Sequence, residues 1–143
     1  MNKYLELKEN HKKDVENFPM FFAFNKKQFD EGMCKLGLEP NETGAILKLG
    51  KTGGFFRKTD EPAFSEMMKR HDAEMKAAID KDPTGEGFIF DMFNYELSNH
   101  EYCYTGDLTD TLLALGITKD EINASDKFKK GLRKAIKMQV DIE

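Results

Sequence analysis

Apolar residues recur every three or four positions along most of this chain, and the period breaks most clearly in one place. In residues 42–60, ETGAILKLGKTGGFFRKTD, β-branched and aromatic residues flank a glycine-rich centre, which is the pattern of a β-hairpin. Ala45, Leu47 and Leu49 are expected on one face of its first strand, with Phe55 to Lys58 returning as the partner. Two strands are marginal in water, so the hairpin must lean on helices or recruit PMFFAF (residues 19–24) as a third strand. Periodicity alone leaves PMFFAF open between a strand and a buried extended connector.

The rest reads as helix. Tyr4, Leu7, His11, Val15 and Phe18 mark a first amphipathic segment that Pro19 ends. Asn25 with Gln28 caps a second, expected over residues 26–36, whose inner face is Phe29, Met33 and Leu36; Cys34 is assigned a small buried role. Asp60 is expected to cap a long third helix, with Pro62 in its first turn, running to about Lys81, where KDPTGEG breaks the pattern. Further helices are expected over residues 88–99, 108–115 and 126–139, the last capped by Ser125, and Thr118 with Glu121 has capping-box spacing. The expectation is therefore an α+β chain, mostly helical, with five or six helices and a small antiparallel hairpin in one compact domain, 1–143.

A chain of 143 residues buries enough surface to fold without disulfides or metal. Its 34% charged and 39% hydrophobic residues fit a solvated globular surface rather than disorder. Cys34 and Cys103 share no repeated spacing, and the N-terminal sequence holds no apolar run of signal-peptide length. The expected location is the cytoplasm, with no membrane span. A net charge of −4 argues against a globally electropositive nucleic-acid binder but leaves room for a local patch.

Three stretches invite a functional reading. LGKTGG (residues 49–54) resembles the end of a phosphate-binding loop, but the position five before Gly50 is Ala45, and the intervening residues are strand-like. A glycine turn is the better account. In FNYELSNHEYCYTGD (residues 93–107), Glu96 and His100 stand four apart and could share a metal, completed by Cys103, Asp107 or the distant His71. That spacing is unspecific, and His100 equally suits a helix C-terminus. Tyr102 and Tyr104 are expected to pack their rings inward, and Asp107 to cap the next helix. No catalytic residue, metal ligand or cofactor is assigned.

Charge is most asymmetric at the end of the chain. Lys127, Lys129, Lys130, Arg133, Lys134 and Lys137 lie around an apolar stripe of Phe128, Leu132, Ile136 and Val140. Residues 86–121, by contrast, hold Glu86, Asp91, Glu96, Glu101, Asp107, Asp110, Asp120 and Glu121 against Lys119. Lys130, Arg133, Lys134 and Lys137 are the candidate binding residues of a non-enzymatic interaction protein. Its expected partner is another protein, with nucleic acid as the alternative occupant and a metal-dependent enzyme at Glu96 and His100 as a third reading.

At FPMFFAFNKKQFDEGMCKLGL and NYELSNHEYCYTGDLTDTLLALGIT the sequence resembles a family of small uncharacterised proteins of bacteriophages and mobile elements of gut bacteria. The resemblance covers most of the chain. It implies an accessory protein of a mobile genome, a setting that suits small acidic binders and inhibitors, and it assigns no activity, cofactor or catalytic residue.

Overall fold

A computed structural model describes residues 2–141. The elements run α1 (Lys3–Asn17), β1 (Met20–Phe22), α2 (Lys26–Lys35), β2 (Ile46–Leu49), β3 (Gly54–Arg57), α3 (Glu61–Lys81), α4 (Phe88–Asn99), α5 (Tyr102–Thr105), α6 (Thr109–Leu115), α7 (Lys119–Asn123) and α8 (Asp126–Asp141). The fold is α+β and mostly helical, as its sequence pattern predicts. The helices exceed the expected number because α5 is a single turn and α7 is the short helix opened by the Thr118–Glu121 capping box. The described chain divides into two compact units, one of residues 2–9 and 73–141 and one of residues 10–72.

The smaller unit holds the sheet, in the order β1-β3-β2, antiparallel throughout. PMFFAF thus supplies the third strand, with Met20 opposite Phe56 and Phe22 opposite Gly54. The hairpin is shorter than expected at both ends: Ala45 lies in a 3-10 turn before β2, and Lys58 in another after β3. Asp60 does not cap α3; its carboxylate accepts from Arg57 Nε at 2.8 Å. Phe21, Met33, Leu36 and Ile46 form one buried cluster, with Phe29 and Phe55 packed against it. Gly32 is required there, since a Cβ would collide with the Phe21 ring. Cys34, one step around α2 from Met33, is exposed rather than buried.

In the larger unit α4 is the centre, and Ile89, Phe93 and Leu97 are fully buried on it. Tyr4, Leu112, Ile122, Leu132 and Ala135 close around them from α1, α6, α7 and α8. The turn before α4 is organised by one carboxylate. Asp82 accepts from the backbone N–H of Thr84 (3.3 Å) and Gly85 (3.0 Å) through Oδ1, and of Gly87 (3.1 Å) and Ile89 (3.0 Å) through Oδ2. It therefore folds the loop and satisfies the start of α4, whose N-cap glycine has no side chain to do so. The folded loop packs tightly on α8: a Cβ on Gly131 would strike the Gly85 carbonyl oxygen and Ile89 Cγ2. Lys127 Nζ ties the same region from the other side, donating to the carbonyls of Ile79 (3.2 Å) and Asp80 (3.3 Å) at the end of α3.

Burial alone would raise the pKa of Asp82, but the four N–H donors outweigh it and hold the carboxyl below its ordinary value. Its stabilisation is complete above the unfolded-state pKa and is lost as pH falls through the lower folded-state value. Asp82→Ala should cost about 3 kcal/mol in urea unfolding at neutral pH, since it orphans buried donors. Asp82→Asn should flatten the acid limb of the stability profile relative to the parent protein.

Candidate functional site

Helical geometry decides whether the terminal cations form a surface. Positions 130, 133, 134 and 137 fall within a sector of about 100° on an ideal helix. On α8 all four are exposed, while Gly131, Leu132, Ala135 and Gln139 are buried on the opposite face. The structure thus brings Lys130, Arg133, Lys134 and Lys137 into one stripe along the outside of α8, about 10 Å from first to last. Val140, expected on the apolar stripe, is instead 56% exposed, and Gln139 takes the buried place, donating to Asn94 Oδ1 at 2.8 Å.

The cations differ in how they are held. Lys134 Nζ lies 4.5 Å from the centre of the Phe90 ring, so this ammonium is positioned by an aromatic face on α4. Among the described residues, Lys130, Arg133 and Lys137 enter no ion pair, whereas Lys129 pairs with Asp126 at 3.5 Å and Lys127 is spent on α3. Asp91 on α4 is half-buried; burial raises its pKa, and the nearby charge of Lys134 opposes that shift.

The opening polar stretch behaves differently. His100 is the C-cap of α4, its N–H donating to the Glu96 carbonyl, and Glu101 follows in the left-handed conformation (φ 58°). Glu96 is buried, and its carboxylate is held by groups from α1: the Tyr4 hydroxyl donates to Oε2, and Lys8 Nζ lies 3.0 Å from the same oxygen. Lys8 also stands over the Tyr95 ring at 5.1 Å. His100 Nε2 is 3.7 Å from Oε1, outside hydrogen-bond distance, and is buried with no bonding partner among the described residues. Burial first, then the bond to Glu96 and its charge, push the Tyr4 hydroxyl well above its usual pKa, so it remains a donor.

Within the same unit, the other candidate ligands are not gathered around this pair. Cys103 is exposed, and Asp107 accepts from Thr109 N–H (2.9 Å) and Oγ1 (2.7 Å) at the start of α6. His71 belongs to the other unit, stacked on His11 at 3.9 Å and bonded to Asp14 at 2.9 Å. The bond from His71, followed by that from Arg70, lowers the pKa of Asp14. Among the described residues no group of three or more His, Cys, Asp and Glu is arranged to hold a metal ion. Tyr102 packs against the core, but Tyr104 is 85% exposed, contrary to the expected inward packing. Sequence pattern missed Tyr4 and Lys8 as partners of Glu96: their spacing of four on α1 was visible, but a contact across some ninety residues leaves no local signal.

Fold and surface together define a small, mostly helical α+β protein with a cationic helix face. The chain belongs to DUF7659, a family of unknown function, whose model matches residues 3–138. No curated protein and no solved structure matches the chain. Among the described residues, no helix is long and apolar enough to cross a membrane.

The Glu96 cluster yields a graded prediction. Glu96→Ala should cost about 3 kcal/mol in thermal or urea unfolding, because it leaves the buried Tyr4 hydroxyl without its acceptor. Lys8→Met should cost less, about 2 kcal/mol, because it withdraws one donor from the buried Glu96 carboxylate while the Tyr4 hydroxyl still serves it.

Proposed function

We propose that this protein is a non-enzymatic accessory protein of a phage or mobile element, working in the cytoplasm, that binds an acidic surface of a host or element-encoded protein through α8. The observation that carries the reading is the stripe Lys130, Arg133, Lys134 and Lys137, exposed together on the face opposite the core. The mobile-element setting rests on the resemblance described above. Complementary charge steers such encounters and sets their salt dependence more than it sets raw affinity. The rigid backing of α8 supports a binding role, because a preorganised face loses little entropy on docking.

The stripe is tested by fluorescence anisotropy with two labelled anionic probes, a poly-glutamate peptide and a short DNA duplex. Binding of the peptide should weaken as salt rises from about 50 to about 200 mM, and reversing all four charges to Glu should lower its affinity at least about tenfold. Circular dichroism of the variant should match the parent protein, since all four side chains are exposed. Unchanged affinity after reversal would remove this surface from the reading. A strong preference for the duplex, with a steep salt slope, would transfer the same surface to nucleic acid.

A further inference from the structure

The sheet order β1-β3-β2 leaves two outer edges, and they are not alike. Ala23 N–H donates to the Gly53 carbonyl at 2.9 Å, which fixes the alternation of the ladder. Phe21 and Ala23 therefore turn their backbone groups toward β3, and Met20 and Phe22 turn theirs outward. Met20 N–H is used by the Phe18 carbonyl (2.8 Å), and Phe24 N–H by Gln28 Oε1 (2.8 Å). Among the described residues the outward N–H and carbonyl of half-exposed Phe22 take no hydrogen bond and remain for an added strand. On β2 the same alternation points Ile46 and Lys48 outward, and Lys48 is an exposed charge of the kind that discourages strand addition. From Met20 to Phe24 the β1 edge carries no charge at all.

Beside β1 runs an open groove of about 420 Å³, lined by Met20, Phe21 and Phe22 of the strand, Val15 and Glu16 of α1, and Glu31 of α2. Phe22, which lines it, and Phe24, two residues further on and with its ring against Gly53, are 49% and 76% exposed, although Phe21 and Phe56 of the same sheet are buried. We propose that the outer edge of β1 docks an extended segment of a partner protein, which joins the sheet as a fourth strand and seats apolar side chains against Phe22 and Phe24. Outward N–H and C=O groups at strand spacing are matched by another extended backbone; a helix has already spent its own. Glu16 and Glu31 stand on the two walls, with Lys35 the one cation of the lining, so the segment is apolar with basic flanking residues.

The test is an NMR titration of isotope-labelled full-length protein with a capped peptide of alternating Val and Lys, and with the same peptide N-methylated at alternate residues. Shift changes should concentrate at residues 20–24, and N-methylation should weaken binding about tenfold or more by removing the ladder donors. Phe24→Lys should abolish binding while leaving the rest of the spectrum in place, because that side chain is already in solvent; Phe22→Lys is the stronger version where it folds. Absence of shifts at residues 20–24, or equal binding of the N-methylated peptide, overturns the proposal. A concentration-dependent dimer that Phe24→Lys abolishes also overturns it, and assigns the edge to a second copy of this chain.

Discussion

The carboxylate of Asp82 decides where α4 begins and how closely α8 can approach it. A loop reading KDPTGEG has every reason to be mobile, since proline withholds a donor and glycine restricts nothing. Four N–H bonds converging on one buried side chain remove that freedom, and they do so with charge-assisted bonds, the stronger kind. Once the loop is fixed, Gly85 and Gly131 allow loop and helix into contact, and Lys127 closes the far side on α3. The outer face of α8 inherits its direction from this inner contact: if Gly131 and Leu132 face α4, then Lys130, Arg133, Lys134 and Lys137 face solvent.

Most of this architecture was legible because its signals are local. The caps at Asn25 and Thr118 and the Ser125 start of α8 are short-range hydrogen bonds between residues three apart, and each is present. The end of α4 at His100 and the cationic face of α8 were likewise readable from spacing, whereas PMFFAF stood open between strand and connector until its pairing with β3 decided for the strand. What failed depended on three-dimensional context. Val140 continues the spacing of four from Phe128, Leu132 and Ile136, but that spacing drifts about 40° per step around an ideal helix, and Gln139 takes the buried place, bonded to Asn94. Cys34 is small and flanked by Met33, yet the turn of α2 carries it outward. Asp60 had the sequence position of a cap, and Arg57 claimed its carboxylate instead.

The Glu96 site illustrates the same limit from the functional side. Its spacing with His100 was visible, but spacing says nothing about what already occupies a carboxylate. Tyr4 and Lys8 arrive from the opposite end of the chain and take Oε2 between them. A buried carboxylate is costly unless such donors satisfy it, so its first role here is to fasten α1 to α4 within the larger unit. Thr111 adds a further tie, its hydroxyl donating to the Glu96 carbonyl at 3.3 Å.

The same accounting changes the meaning of the charge asymmetry. In sequence, an acidic segment and a basic helix look like two surfaces of equal standing. In the fold the acids are partly consumed: Glu96 is buried, Asp107 holds the entry to α6, Glu121 closes the α7 capping box, and Asp91 is half-buried with a raised pKa. Each is committed to a particular donor or to the interior, which leaves it less able to pair directly with a partner although its charge still adds to the overall field. The cations at 130, 133 and 137 carry no such commitment among the described residues, and Lys134 leans on a ring that leaves its charge intact. A net charge of −4 therefore coexists with a cationic α8 face, because charge counts weigh every residue alike whereas binding responds to those still free to meet a partner.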